Sequence, residues 1–337
     1  MKKPWIPMEL LKESSIFITG ASGLIGSVMA EYLLKINESC RLDLHLLLLV
    51  RNKNKLPLEI LREEEKGTIE IIEGDVCKIP EIKGAIDYIV HGASITESRM
   101  MVEKPVEVIR TNLEGTLNCL ELARKKNIKS MIYLSTMEVY GFTEEEMLLT
   151  EEKVQYLNPL VLRSSYPESK RMAENLCVSY AKEYGVPARI IRLAQTFGHG
   201  VKENDTRVFA EFARCAKKEK DICLKTDGMS KRMYLDTGDA ARAVLTVLLK
   251  GKAGEAYNAG NKETYCSVRE MAEMVASKIA DGKISVQFAS DENSRKQFSP
   301  PHRLLLDVSR LEALGWEATA GLKEMYLEMM EDWKGKK

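Results

Sequence analysis

The stretch Ile16-Phe-Ile-Thr-Gly-Ala-Ser-Gly-Leu-Ile-Gly26 constrains this chain more than any other. Apolar and β-branched residues run into Gly20, Gly23 and Gly26, and an amphipathic helical pattern follows to about Lys35. A strand that turns at once into a helix leaves the first helical N–H groups unpaired and aimed at the turn. Those donors, with the positive end of the helix dipole, suit a pyrophosphate. Gly20 permits the tight turn, Gly23 lets a phosphate approach the backbone, and Gly26 lets the helix pack close to the strand. The turn therefore predicts a dinucleotide-binding unit, with Ser22, Leu24 and Ile25 in the same cradle.

Strand and helix signals alternate from that turn onward. Strand patterns lie at Ser15–Thr19, Asp43–Val50, Ile69–Glu73, Tyr88–Gly92, Ser130–Ser135 and Ala188–Leu193. Helical patterns lie near Ile25–Lys35, Pro105–Lys126 and Pro167–Tyr184. Near-continuous apolar strands between helices indicate a parallel sheet covered on both faces. The expected fold is α/β, a doubly wound parallel sheet of Rossmann type with its cleft at the carboxyl ends of the strands. Past Gly198 the texture changes. A polar stretch, His199–Arg207, precedes helical patterns at Val208–Lys220, Asp239–Leu249 and Val268–Ala280, with short segments such as Asp221–Lys225 and Ala256–Ala259 between them. The expected division is a dinucleotide-binding domain over 1–197 and a smaller mixed α/β substrate lobe over 198–337. Residues 231–250 should return to the large domain, and a helix from about Gly321 should end the chain. A length of 337 residues accommodates both.

Fifty basic residues balance fifty acidic ones. No global field points to nucleic acid or an anionic membrane. The seven cysteines are scattered and show no metal-ligand spacing. Reduced thiols, a cytoplasmic location and no metal are expected. Neither the N-terminus nor the apolar run Leu46–Val50 has the length of a signal peptide or membrane span.

The end of the second strand is where an adenosine ribose is read. Here it runs Val50-Arg51-Asn52-Lys53-Asn54-Lys55, with no carboxylate. A guanidinium suits a 2′-phosphate, so Arg51 favours NADP over NAD. After the third strand, Asp75 beside Val76 could accept a hydrogen bond from adenine or simply close a turn.

A second motif is Tyr166-Pro-Glu-Ser-Lys170. Tyrosine and lysine four apart share a helical face. An ammonium near a phenol, with a cationic nicotinamide close by, favours the phenolate. Such a tyrosine can move a hydroxyl proton while hydride is transferred. Further motifs are His91-Gly-Ala93, Thr111-Asn-Leu-Glu-Gly-Thr116 and Leu134-Ser-Thr-Met-Glu-Val-Tyr-Gly141. Arg192–Gly198, Arg232–Asp239 and Leu306–Trp316 follow in order. Together they resemble the extended short-chain dehydrogenase/reductase family, in its NAD(P)-dependent nucleotide-sugar epimerase/dehydratase branch, over nearly the whole chain.

That resemblance makes Tyr166 the catalytic base, Lys170 its ribose-binding partner and Thr136 the hydroxyl that holds the substrate oxygen. It places Ala93 and Asn112 beside the cofactor, and Ser94, Gln195 and Arg232 beside the substrate. Sugar dehydratases of this branch carry Asp-Glu where this chain has Met137-Glu138. Methionine cannot protonate a leaving hydroxyl, although Glu138 could still act on a ring proton. Gln195 stands where many relatives have asparagine. Arg295, Lys296, His302 and Arg303 form a late basic group that could close over a phosphate. His91 reads as a packed imidazole, and His45 and His199 as isolated.

The expected activity is hydride transfer at C4 of a nucleoside-diphosphate sugar, with epimerisation ahead of reduction of a 4-keto sugar nucleotide by NADPH, and dehydration third. The rivals are a reductase of some other carbonyl compound and a non-catalytic dinucleotide-binding sensor. By analogy with relatives, helices Pro105–Lys126 and Pro167–Tyr184 should form a homodimer interface.

Overall fold

The structure is a computed structural model that describes residues 6–143, 145–288 and 302–334. In chain order its strands are β1 (Ser15–Thr19), β2 (His45–Val50), β3 (Ile69–Glu73), β4 (Tyr88–His91), β5 (Ser130–Thr136), β6 (Leu148–Leu149) and β7 (Ala188–Leu193). There follow β8 (Gln195–Phe197), β9 (Ile222–Leu224), β10 (Lys231–Asp236), β11 (Ala256–Ala259), β12 (Asn261–Ser267), β13 (Val286–Phe288) and β14 (Arg303–Leu306). The long helices are α1 (Leu24–Cys40), α2 (Pro105–Lys126), α3 (Ser165–Tyr184), α4 (Thr237–Lys250) and α5 (Leu322–Lys334).

Seven strands form one parallel sheet in the order β11-β7-β5-β4-β1-β2-β3. The chain winds outward from β1 on both sides, so β1 and β4 flank the point where the order reverses and a cleft opens. Alternation along the strands explains their apolar texture. Ile16, Ile18, Leu46 and Leu48 face one core with α1 and α4, whereas Phe17, Leu47, Leu49 and Ile89 face another with α2 and α3. Each fully buried Leu or Ile contributes roughly 1.5–3 kcal/mol by leaving water.

The predicted strands recur with small shifts at their ends. Asp43 adopts φ +56°, so β2 begins at His45 rather than at Asp43. Helix α1 outruns its predicted end at Lys35. It stops when Arg41 turns left-handed (φ +52°) and returns its N–H to the Asn37 carbonyl. The pattern at Val268–Ala280 is an α-helix to Met274 and a π-turn over Val275–Ile279, started by a Ser267–Glu270 capping box. A helix at Leu58–Glu65 adds to the expected elements; it follows Pro57 and has no side-chain cap.

The return to the large sheet runs past residues 231–250. Helix α4 packs against α1, β5 and β7, and Ala256–Ala259 adds the edge strand β11 beside β7. Strand β10 instead joins a second sheet, ordered β12-β10-β14-β6 with β8 also on β10, while β9 and β13 pair separately. A third apolar cluster, with Phe197, Phe209, Phe212 and Tyr326, fills this region. His199, just past β8, ties it to the large sheet. Its Nδ1 meets Asp332 of α5 and its Nε2 meets Glu31 of α1, at 3.0 and 2.8 Å. These two carboxylates hold the imidazole charged, its pKa raised to about 10. No helix among the described residues is long and apolar enough to cross a membrane. All seven cysteines are free.

Candidate active site

The glycine turn lies where the topology opens the cleft. Gly20 has φ +71°, and a Cβ there would come 2.7 Å from the Ala93 amide nitrogen, so β1 and the exit of β4 approach as only glycine allows. A Cβ on Gly26 would collide with the Gly20 carbonyl. Gly23 caps α1 with no side-chain hydrogen bond, which leaves the first N–H groups of the helix to the cleft. The space that the missing Cβ atoms would fill, together with those donors, fits the pyrophosphate of a dinucleotide. The cleft has a volume of about 450 Å³, and Gly20, Gly23, Leu24, Ile25 and Gly26 line one end. Such a volume is ordinary for a ligand site. Ser22 lies within the turn itself.

Thr136, Tyr166 and Lys170 line the same cleft. Thr136 ends β5, and its hydroxyl accepts from the Glu138 N–H at 3.3 Å. Ser135 turns away and donates to Glu174 at 2.5 Å. Tyr166 is buried in a small apolar cluster with Ile95, Met101 and Val108. Burial pushes its pKa up, the Glu138 carboxylate pushes it further, and the Thr136 hydroxyl and the Arg163 guanidinium pull it back. The sequence reading assigns that downward pull to Lys170. In the structure the Lys170 ammonium donates to the Leu134 carbonyl at 2.7 Å and stands 5.8 Å from the Tyr166 ring centre. Burial lowers its own pKa to about 7, against the opposing pull of Glu174.

Glu138 faces the cleft but is already paired. One nitrogen of Arg163 donates to both its oxygens, at 2.8 and 3.1 Å. Met137 packs into the main core, 4% exposed. Arg163 is a site residue that sequence reasoning missed. It precedes Tyr166 by three residues, but it meets Glu138 across 25 positions, which no local pattern encodes. Arg207 was missed as well; it lines the cleft, paired with Asp205 over the Phe209 ring.

At the far end Gln195 and Arg232 line the cleft. Arg232 Nη2 lies 3.5 Å from His302 Nε2, and its buried Nε has no hydrogen-bond partner among the described residues. A donor left free in a cleft suits an anion. Burial and the two guanidiniums of Arg232 and Arg163 lower the His302 pKa to about 4, so this imidazole is neutral. Arg303 starts β14. Arg295 and Lys296 lie outside the described residues.

Of the other expected residues, Ser94 lines the cleft, whereas Ala93, Asn112, Arg51, Asp75 and Val76 are not among its lining residues. Ser94 donates to Asn112, whose amide donates to Ser169. Ala93 N–H donates to the Thr19 hydroxyl. Arg51 is exposed at the end of β2. Asp75 closes a turn by accepting from the Cys77 N–H at 2.8 Å, and Val76 is buried against Gly115 of α2. His91 is buried between the Thr19 and Thr116 hydroxyls, its pKa lowered to about 3 by burial and by Lys170.

Residues 16–260 match the model of the NAD dependent epimerase/dehydratase family. Among curated proteins, UDP-glucuronic acid decarboxylase 1 of Danio rerio is 29% identical over 325 residues, covering 94% of this chain and 73% of the relative. Among solved structures, UDP-N-acetylglucosamine 4-epimerase from Methanobrevibacter ruminantium superposes with a TM-score of 0.82 at 20% identity, covering 97% of this chain and 100% of that one. UDP-glucuronic acid 4-epimerase from Bacillus cereus, solved with NAD and a 4-deoxy-4-fluoro analogue of UDP-glucuronic acid, gives 0.79 at 23% identity, with 95% and 99% covered. Both structures share this fold.

Proposed function

The chain belongs to the NAD dependent epimerase/dehydratase family, and from that membership we propose that it oxidises and re-reduces C4 of a nucleoside-diphosphate sugar. The observation that carries this reading is that Thr136, Tyr166 and Lys170 line one cleft together with the glycine cradle of Gly20, Gly23 and Gly26. A nicotinamide dinucleotide held there supplies the hydride acceptor and donor. Tyr166 takes the proton of the C4 hydroxyl and later returns it. Thr136 holds the same oxygen by a hydrogen bond. Lys170 binds ribose hydroxyls. Gln195 and Arg232 hold the diphosphate end. Return of hydride to the opposite face of C4 gives the epimer.

Met137 weighs against 4,6-dehydration, because a buried thioether has no proton for a leaving hydroxyl. The same observation favours a second reading. Oxidation at C4 of a hexuronate makes a β-keto acid. Its C5–C6 bond then breaks, carbon dioxide leaves, and the electron pair passes to the C4 oxygen without protonation of a leaving hydroxyl. The decarboxylases at 29% identity support this alternative.

The identity of the dinucleotide turns on the tip of β2. Arg51 supports NADP. Against it, Glu73 at the end of β3 accepts the Lys53 N–H at 3.0 Å and sets a carboxylate beside that tip, where it would repel a 2′-phosphate. The Bacillus cereus neighbour also holds NAD. The reading therefore favours NAD over the NADP expected from Arg51. Mass spectrometry of the small molecules released on denaturing freshly purified protein should find NAD⁺ in near-stoichiometric amount. NADP⁺ would reinstate the Arg51 reading. The loaded protein is then given UDP-glucose, UDP-N-acetylglucosamine and UDP-glucuronate, with products read by NMR. An epimer supports the first reading and loss of carbon dioxide the second. If it binds no dinucleotide and converts no sugar nucleotide, the proposal is wrong.

Val106, Ile109, Leu117, Met172 and Val178 are exposed apolar residues on α2 and α3. They suit a homodimer through these helices. Light scattering at micromolar concentration should give twice the chain mass, and a monomer would refute the dimer.

A further inference from the structure

We propose that Glu174, which lies outside the cleft, is a positioning residue that keeps Lys170 in its charged form and thereby sets the pH range over which the site holds its dinucleotide. The proposal rests on the functional reading of Lys170 given above.

Helix α3 presents Tyr166, Lys170 and Glu174 at intervals of four, as one stripe. Three consecutive residues of β5 meet that stripe. The Leu134 carbonyl accepts from Lys170, the Ser135 hydroxyl donates to Glu174, and Thr136 lines the cleft with Tyr166. Lys170 is 3% exposed and Glu174 7% exposed. A lysine so buried tends to lose its proton. Glu174 is the nearby carboxylate that opposes this loss.

The charge of Glu174 is itself fixed. Arg192 of β7 donates to it from Nη2 at 2.7 Å and from Nε at 3.0 and 3.2 Å. The other titratable groups around Lys170 are quiet near neutrality. From β4, His91 is neutral. From β5, the Tyr133 ring lies 4.6 Å from Nζ, and burial pushes its phenol pKa up. On α3 itself, burial pushes up both the Tyr166 phenol and the Cys177 thiol. Lys170 is therefore the group of this cluster that titrates in the working range, and Glu174 is the carboxylate that sets where.

A purely structural Glu174 would only anchor Arg192, and its loss would lower stability without moving any titration. The test is the affinity for NAD⁺, measured by calorimetry between about pH 5.5 and 9. Affinity should be full below the pKa of Lys170 in the free protein and fall as pH rises through it, because the ammonium is the stronger donor to ribose. In Glu174→Gln that alkaline limb should move down by about one pH unit, and Glu174→Asp should largely restore it. Should Glu174→Gln not fold, the double variant Glu174→Gln, Arg192→Met removes the guanidinium that Glu174→Gln would leave without its carboxylate, and should show the alkaline limb moved in the same direction. An unmoved limb in a folded variant overturns the proposal alone. If the wild type binds no dinucleotide at any pH, the functional reading fails and this proposal with it.

Discussion

Replacing Tyr166 by phenylalanine should lower turnover of a sugar nucleotide by about 10²–10⁴-fold, the usual contribution of a positioned acid–base group, while leaving the fold intact. The ring lies among Ile95, Met101 and Val108, and phenylalanine keeps those contacts, so the unfolding free energy should change by less than about 1 kcal/mol. Dinucleotide release on denaturation should persist, since the glycine cradle is untouched. The effect should fall on kcat rather than KM, because the proton is transferred only as the C4–H bond breaks. Steady-state kinetics on the substrate identified by the NMR screen decides the matter. A variant that retains near wild-type kcat would remove Tyr166 from the mechanism.

Arg192→Leu should be the most destabilising single change in the vicinity of the site, at about 3–5 kcal/mol, because breaking a buried ion pair leaves the remaining charge without a partner. The Arg192–Glu174 pair is nearly inaccessible, with side chains 9% and 10% exposed. Arg192 also donates to the Tyr140 hydroxyl at 3.0 Å and to the Glu151 carbonyl at 2.8 Å, and Tyr140 in turn donates to Asn258. Loss of the guanidinium therefore strands a carboxylate and two further acceptors at once. Urea unfolding compared with wild type measures the change, with the m-value held in view. A loss below about 1 kcal/mol would show that the pair is solvated well enough to be broken at small cost. If this loss is large while Glu174→Gln, Arg192→Met recovers most of it, the damage comes from the unpaired charge rather than from the lost side-chain volume.

These two effects differ in how visible they were beforehand. Tyr166 and Lys170 were legible because a helix places residues four apart on one face wherever that helix lies. The glycine turn was legible for the same kind of reason: positive φ and close backbone approach are demands of the turn itself, met locally by Gly20 and Gly26. The seven parallel strands announced themselves by apolar runs too continuous for a one-sided sheet, apart from Ala256–Ala259, whose place at the edge beside β7 is not encoded in four residues. Arg192 was noticed only as part of a family motif, and its partner Glu174 lies 18 positions away.

By itself the sequence determined what repeats or strains over a few residues: the βαβ cradle, the alternating strands and helices, the Tyr–Lys stripe and the exclusion of a leaving-group acid at Met137. Only the tertiary structure decided which charges meet. It paired Glu138 with Arg163 and set both beside Tyr166, so that burial and the Glu138 carboxylate raise the phenol's pKa while Thr136 and Arg163 lower it. It brought Arg232 on β10 beside His302, just before β14 and 70 positions on, and left the Arg232 Nε without a hydrogen-bond partner among the described residues. It also set Glu73 against the basic tip that suggested a 2′-phosphate. The physical reason is common to all three. Backbone periodicity fixes the direction of a side chain relative to its near neighbours, whereas the energy of a charge depends on distance and burial. Both are set by contacts between segments far apart in the chain.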